Sequence, residues 1–175
     1  IAKLDGNIYA AGSFSAVKDG RIGTAFFAKY GLAAAGDSGL TSLVSAVSDT
    51  AGNVHMLYTD YNAALKYRYY NSESSTWGST SLISNAAAIT SANVAGNFRS
   101  NQIFAVWEEN HAIKKSTSSA PYTAWTSAEV VYGGSGNHFV SSEPSLGYGG
   151  ILVEWTKGGD YPYQVLGSIL PVTVT

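Results

Sequence analysis

The sequence predicts an all-β fold of repeated antiparallel units, and three observations carry that prediction. Four apolar strand cores align, starting at Ile8, Val54, Ile103 and Ile151, with spacings of 46, 49 and 48 residues. Each core is introduced by Gly or Asn, at Gly6-Asn7, Gly52-Asn53, Asn101 and Gly149-Gly150. Those residues accept the tight or left-handed backbone that launches a strand. No segment sustains a 3.6-residue apolar period, since the Ala-rich runs at 32–35 and 86–88 are closed off by Gly31, Gly36, Asn85 and Gly96. A period in the forties with several strands per unit is the pattern of β-propeller blades. The expectation is one domain over residues 1–175, of about four blades with the outer two incomplete, belonging to a larger propeller.

The units can be taken in order. The first runs from Ile8 and departs from the rest, with Ala25 to Tyr30 in place of a Tyr-rich second strand. The second opens at Val54, turns at Tyr61 to Ala64 and continues through Leu65 to Tyr70, where side chains alternate between two faces. The third opens at Ile103, turns at Asn110-His111-Ala112 and continues through Ile113 to Ser118. The fourth opens at Ile151, turns at Gly158 to Asp160 and continues through Tyr163 to Ser168. Third strands are expected at Ser81 to Ser84 and Glu129 to Tyr132, and Pro171 favours an edge position. Four residues after each start stand Gly12, Tyr58, Trp107 and Trp155. Strand alternation puts the three aromatics on one face, where each would pack one blade against its neighbour.

Composition bounds the partners. Charged residues make up 13% of the chain and hydrophobic residues 45%, with a net charge of −2. That gives no basic footprint for a nucleic acid and no disorder-prone polymer. A surface of Ser, Thr, Asn, Gly and Tyr suits an extracellular or cell-surface β protein. Cysteine is absent, so there is no disulfide, thiolate nucleophile or cysteine zinc site. No apolar run approaches the roughly 18 residues of a membrane helix. The chain opens on Ile1 inside a strand lead-in, as expected of a piece of a longer protein.

At Ser48-Asp49-Thr50-Ala51-Gly52-Asn53-Val54-His55, followed by Leu65-Lys66-Tyr67-Arg68 and Thr76-Trp77, the sequence resembles sialidase-like propellers. These carry bacterial neuraminidase, or Asp-box, repeats. The likeness covers about Ser42 to Trp155, with Asp49 and Gly52 standing before an inner strand. The Tyr-rich strand, turn and Trp77-Gly78 are also similar to fungal fucose-binding propeller lectins. Both resemblances imply a propeller. The first implies arginines on a substrate carboxylate, and the second implies glycan recognition.

The residues offer several constellations. The sialidase resemblance implies three arginines on a substrate carboxylate, and the chain has Arg21, Arg68 and Arg99, with Arg68 on a second strand. Glu108 and Glu154 share a strand face opposite the aromatics and would serve glycoside hydrolysis if neighbouring strands brought them together. Asp60 and Glu109 mark polar strand ends. His55, His111 and His138 show no zinc spacing, so no metal or other cofactor is expected. Tyr61, Tyr70, Tyr122 and Tyr161 fall in expected turns or on polar faces, where rings can stack on sugars.

The function these features point to is a non-catalytic extracellular binding or scaffold module that contacts carbohydrate or a protein surface. The alternatives are a fragment of a sialidase-like hydrolase or polysaccharide lyase, with Glu108, Glu154 and Arg68 as catalytic candidates, and an architectural subunit that self-associates through strand edges.

Overall fold

The computed structural model describes residues 2–4, 7–9, 44–60, 62–86, 89–134, 138–144, 150–157 and 164–171. All regular structure there is β-strand. A short ribbon pairs β1 (Ala2–Leu4) with β2 (Asn7–Tyr9). The remaining strands form three antiparallel meanders. The first holds β3 (Val44–Ser48), β4 (Val54–Thr59), β5 (Leu65–Asn71), β6 (Thr76–Trp77) and β7 (Ser81–Ser84), with β6 and β7 both paired to β5. The second holds β8 (Ile89–Asn97), β9 (Gln102–Glu109), β10 (Ala112–Ser119) and β11 (Glu129–Gly133) in chain order. The third holds β12 (His138–Pro144), β13 (Gly150–Lys157) and β14 (Gln164–Pro171). No helix long and apolar enough to cross a membrane occurs among the described residues.

The strands expected to open each unit prove to be second in their meanders. Each of the three meanders begins one strand earlier, at β3, β8 and β12. β3 (VSAVS) and β8 (ITSANVAGN) are built from Ser, Thr, Ala and Asn around few large apolar residues, so no apolar core announces them. Their small side chains have a structural reason. β8 lies against β3 on one side and β12 on the other, and bulk there would hold the sheets apart. Its edge is also satisfied by a neighbour. The Ser45 hydroxyl donates to Asn93 Oδ1 at 3.1 Å and accepts the Val94 N–H at 3.0 Å. Ile8 lies in β2, and the rest of the first unit lies outside the described residues.

Turns follow local chemistry. Between β3 and β4 the Asp49 carboxylate accepts the N–H groups of Ala51 and Asn53, both at 2.9 Å. The chain then passes through buried Gly52 at φ 86°, a conformation that a Cβ disfavours. Asn101, at φ 51°, holds the corresponding place before β9. Asn110 and His111, at φ 52° and 64°, form the two-residue turn from β9 to β10, with the paired positive φ of the hairpin type that matches strand twist.

The core sits between the meanders. Leu57, Leu65 and Tyr67 of the β4 sheet meet Val94, Ile103, Ala105 and Trp107 of the β9 sheet. On its other face the β9 sheet offers Ala95, Phe104, Val106 and Ile113 to Ile151, Val153, Trp155 and Leu170 of the β13 sheet. Trp107 and Trp155 therefore occupy matching positions, each on the face turned to the preceding sheet. Tyr58 alternates with Leu57 and is buried on the corresponding face of β4. Fully burying a Leu- or Phe-sized side chain contributes about 1.5–3 kcal/mol. Each seam buries several, so it outweighs the few hydrogen bonds between sheets at about 1 kcal/mol each.

Because Ile103 is wholly buried in the first seam, Ile103→Ala should cost about 2–5 kcal/mol. Val130→Ala, at an exposed position, should stay within about 0.5 kcal/mol. Urea unfolding of both variants checks the contrast; equal effects would overturn the two-faced core.

Candidate functional site

At the end of the first seam nearest the Asp49 turn, five rings converge. His55 of β4 sits in register with Tyr69 of β5, their rings 5.2 Å apart. Phe98 from the β8–β9 turn stacks on His55 at 5.5 Å, and Tyr122 from the β10–β11 loop meets it edge-on at 4.6 Å. Tyr67 contacts His55 at 2.8 Å, hydroxyl to Nδ1. Burial pushes the Tyr67 phenol well above its ordinary range, so it stays protonated and donates. Burial likewise lowers His55 to about 4, against the opposing pull of Asp49. The imidazole is thus neutral, with Nδ1 accepting and the proton assigned to Nε2. That N–H faces Asp49 Oδ2 at 3.9 Å, beyond hydrogen-bond reach.

The loop that supplies Tyr122 is held from several directions. Tyr122, at φ 63°, is buried, and its N–H donates to Ser119 O at 2.8 Å. Trp125 sets its ring edge against Tyr67 at 4.9 Å. The Ser118 hydroxyl donates to Ala124 O at 2.6 Å, and the Ser116 hydroxyl to Thr126 O at 2.7 Å. Ala120 N–H reaches Asn101 O at 3.0 Å. Beside this loop lies an open depression of about 400 Å³ lined by Thr117 to Pro121 and Thr123 to Thr126.

The expected catalytic residues do not meet. Glu108 lies on the face of β9 that turns to the β13 sheet, and Glu154 lies on the far face of that sheet, exposed. The shared strand parity is real, but both faces look the same way along the stack, so the β13 sheet stands between the two carboxylates. Glu108 is buried and engaged, accepting the Thr90 hydroxyl and the His111 N–H, the latter at 2.6 Å. Arg68 donates to Gly78 O at 3.0 Å and lies 5.9 Å over the Trp77 ring. Arg99 is exposed in the β8–β9 turn, and Arg21 lies outside the described residues.

The two acids at strand ends are also committed. Asp60 accepts the N–H groups of Asn62 and Ala64 and pairs with Lys66 at 2.8 Å. The Lys66 hydrogen bond, with those backbone donors, holds its carboxyl below the usual range. Burial would raise Glu109, but hydrogen bonds from Lys114, Trp107 and Ser84 outweigh it and keep the carboxyl low. Trp107 Nε1 and the Ser84 hydroxyl both reach Glu109 Oε2, at 2.8 and 2.7 Å, which ties the first two sheets together.

Of the expected sugar-stacking tyrosines, Tyr70 is half-buried against Trp77 at 5.2 Å. Tyr122 is not on the surface: it is a plug in the ring cluster. Tyr61 and Tyr161 lie outside the described residues. Sequence reasoning missed the cluster as a unit. The pairing of His55 with Tyr69 was legible from hairpin register, whereas Phe98 and Tyr122 arrive from another sheet with no local signal. Trp125 and its hydroxyl-rich loop were visible as composition only. Among the described residues no three His, Asp or Glu side chains gather as a metal would require. No protein-family model matches the chain, and no curated protein matches it.

The His55 geometry predicts a pH dependence. The unfolded imidazole titrates near 6.5 and the folded one near 4, so the unfolded chain binds the extra proton between them. Stability from this group is complete above about 6.5 and falls as pH drops toward 4, by about 3 kcal/mol in total. Urea unfolding from about pH 7 to about pH 5 should show that decline in the parent chain and a flat profile in His55→Phe. A decline of the same size in the variant would rule His55 out as its source.

Proposed function

We propose that the three stacked meanders are blades of a β-propeller and that the chain is a non-catalytic binding module of an extracellular or cell-surface protein, with carbohydrate as its ligand. The observation that carries the reading is the commitment of the buried acids. Asp60, Glu108 and Glu109 each hold a turn, an ion pair or a sheet-to-sheet bond. A general acid or base must instead be free to exchange its proton with a bound substrate. The chain-order meanders, leading-strand contacts and matching aromatic positions favour blades. The low charge and the hydroxyl-rich loop surface favour a neutral polar ligand over a catalytic cleft.

A second reading has its own observation. The outer face of the β13 sheet leaves Val165 and Ile169 exposed at 71 and 60%. The corresponding faces of the β4 and β9 sheets are covered by the next sheet. On this reading a sheet of a second copy covers that face, as an assembling subunit would require.

Two outcomes check these readings. Purified protein should retain glycans without turning over chromogenic glycosides, and Glu108→Gln should lower the unfolding temperature while leaving retention intact. Turnover abolished by Glu108→Gln or Glu154→Gln would replace the first reading with a hydrolase. Light scattering of the unliganded protein should show concentration-dependent growth that Val165→Lys with Ile169→Lys removes; monomeric scattering throughout would end the second.

A further inference from the structure

The geometry points to a neutral-sugar site in the depression beside the β10–β11 loop, with Trp125 as its ring platform. The proposal deepens the binding-module reading and rests on it. None of the nine residues lining the depression is charged, and five carry hydroxyls. Ser119 and Thr123 are exposed residues, and their hydroxyls have no partner among the described residues. Pro121 and the half-buried Trp125 supply the apolar surface. A pyranose has the same mixed character: C–H faces that pack on a ring and hydroxyls that exchange with serine and threonine.

The uncharged lining selects among sugars. A sialic or uronic acid brings a carboxylate, which finds no paired cation in this open, uncharged depression and so gains nothing there over water. No cation lines the depression, and Arg68 is turned to Gly78 and Trp77. The site therefore takes neutral sugars, the opposite preference from an arginine-clamped one.

Rigidity favours the same conclusion. Each hydrogen bond to a well-hydrated hydroxyl nets little, so a loop that had to be ordered on binding would cancel the gain. This loop is ordered beforehand. Tyr122 is plugged beneath it against His55, Trp125 is braced on Tyr67, and its backbone is bonded to Ser116, Ser118 and Asn101.

The test uses an array of oligosaccharides ending in galactose, glucose, mannose or fucose, beside others ending in sialic or uronic acid. Retention is expected on one or more neutral probes. Trp125→Ala should reduce it by about tenfold or more. Since Trp125 also braces the loop, Thr123→Glu and Ser119→Glu provide exposed variants that keep the unfolding temperature and lose neutral-sugar retention. Retention on acidic probes alone overturns the inference while leaving the binding-module reading in place, as does neutral retention indifferent to all three substitutions. Retention on no probe overturns both.

Discussion

The structure depends on a strand that has no solvent side. β9 sends Ile103, Ala105 and Trp107 to one neighbouring sheet and Phe104 and Val106 to the other, and all five are buried. A sheet apolar on both faces cannot stand alone in water, because either face left open forfeits the burial that offsets chain entropy. The middle meander is therefore stable only as a filling between two others. The rest follows from that demand. The leading strands must be slim enough to lie close, the turns must be closed by polar groups outside the seams, and the sheets must stack in chain order.

That constraint also explains where charge goes in a chain with so little of it. Asp49, Asp60, Glu108 and Glu109 all stand at strand ends, where a carboxylate can gather the loose N–H groups of a turn. Asp60 and Glu109 add a lysine from the next strand, Lys66 and Lys114, so neither of these two carboxylates is left without a counter-charge. The surface between these points is left to hydroxyls and amides.

How much was legible in the sequence depended on whether a signal was local. VHMLYT, QIFAVWEE and GILVEWTK announce themselves because buried strands read as near-continuous apolar runs. Their spacing gave the repeat, and the Asn110-His111 turn was readable from chemistry alone. The leading strands were not, since ITSANVAGN is defined by what it must avoid, namely bulk. Site residues fared worse for a geometric reason. Parity along a strand says that Glu108 and Glu154 share a face type. It does not say that the faces of stacked sheets look in one direction, which sets a sheet between them. Tyr122 looked like a surface ring in a polar loop, and only a neighbouring sheet turns it into a plug.

The same plug joins the stability of the first seam to the depression proposed as a binding site. Tyr122 and Trp125 leave one loop to contact His55 and Tyr67, which belong to a different sheet. The depression therefore owes its shape to the first seam rather than to its own few residues. A charge placed on His55 would sit among Tyr67, Tyr69, Phe98 and Tyr122, with Asp49 as the nearest counter-ion at 3.9 Å. Moving the Asp49 turn inward would answer that charge only by giving up the N–H bonds from Ala51 and Asn53 that form the turn. Keeping the turn leaves the charge desolvated, and the ring cluster must open instead. Opening the cluster disturbs the footing of the loop, so a depression that looks like a surface feature is governed from inside the core.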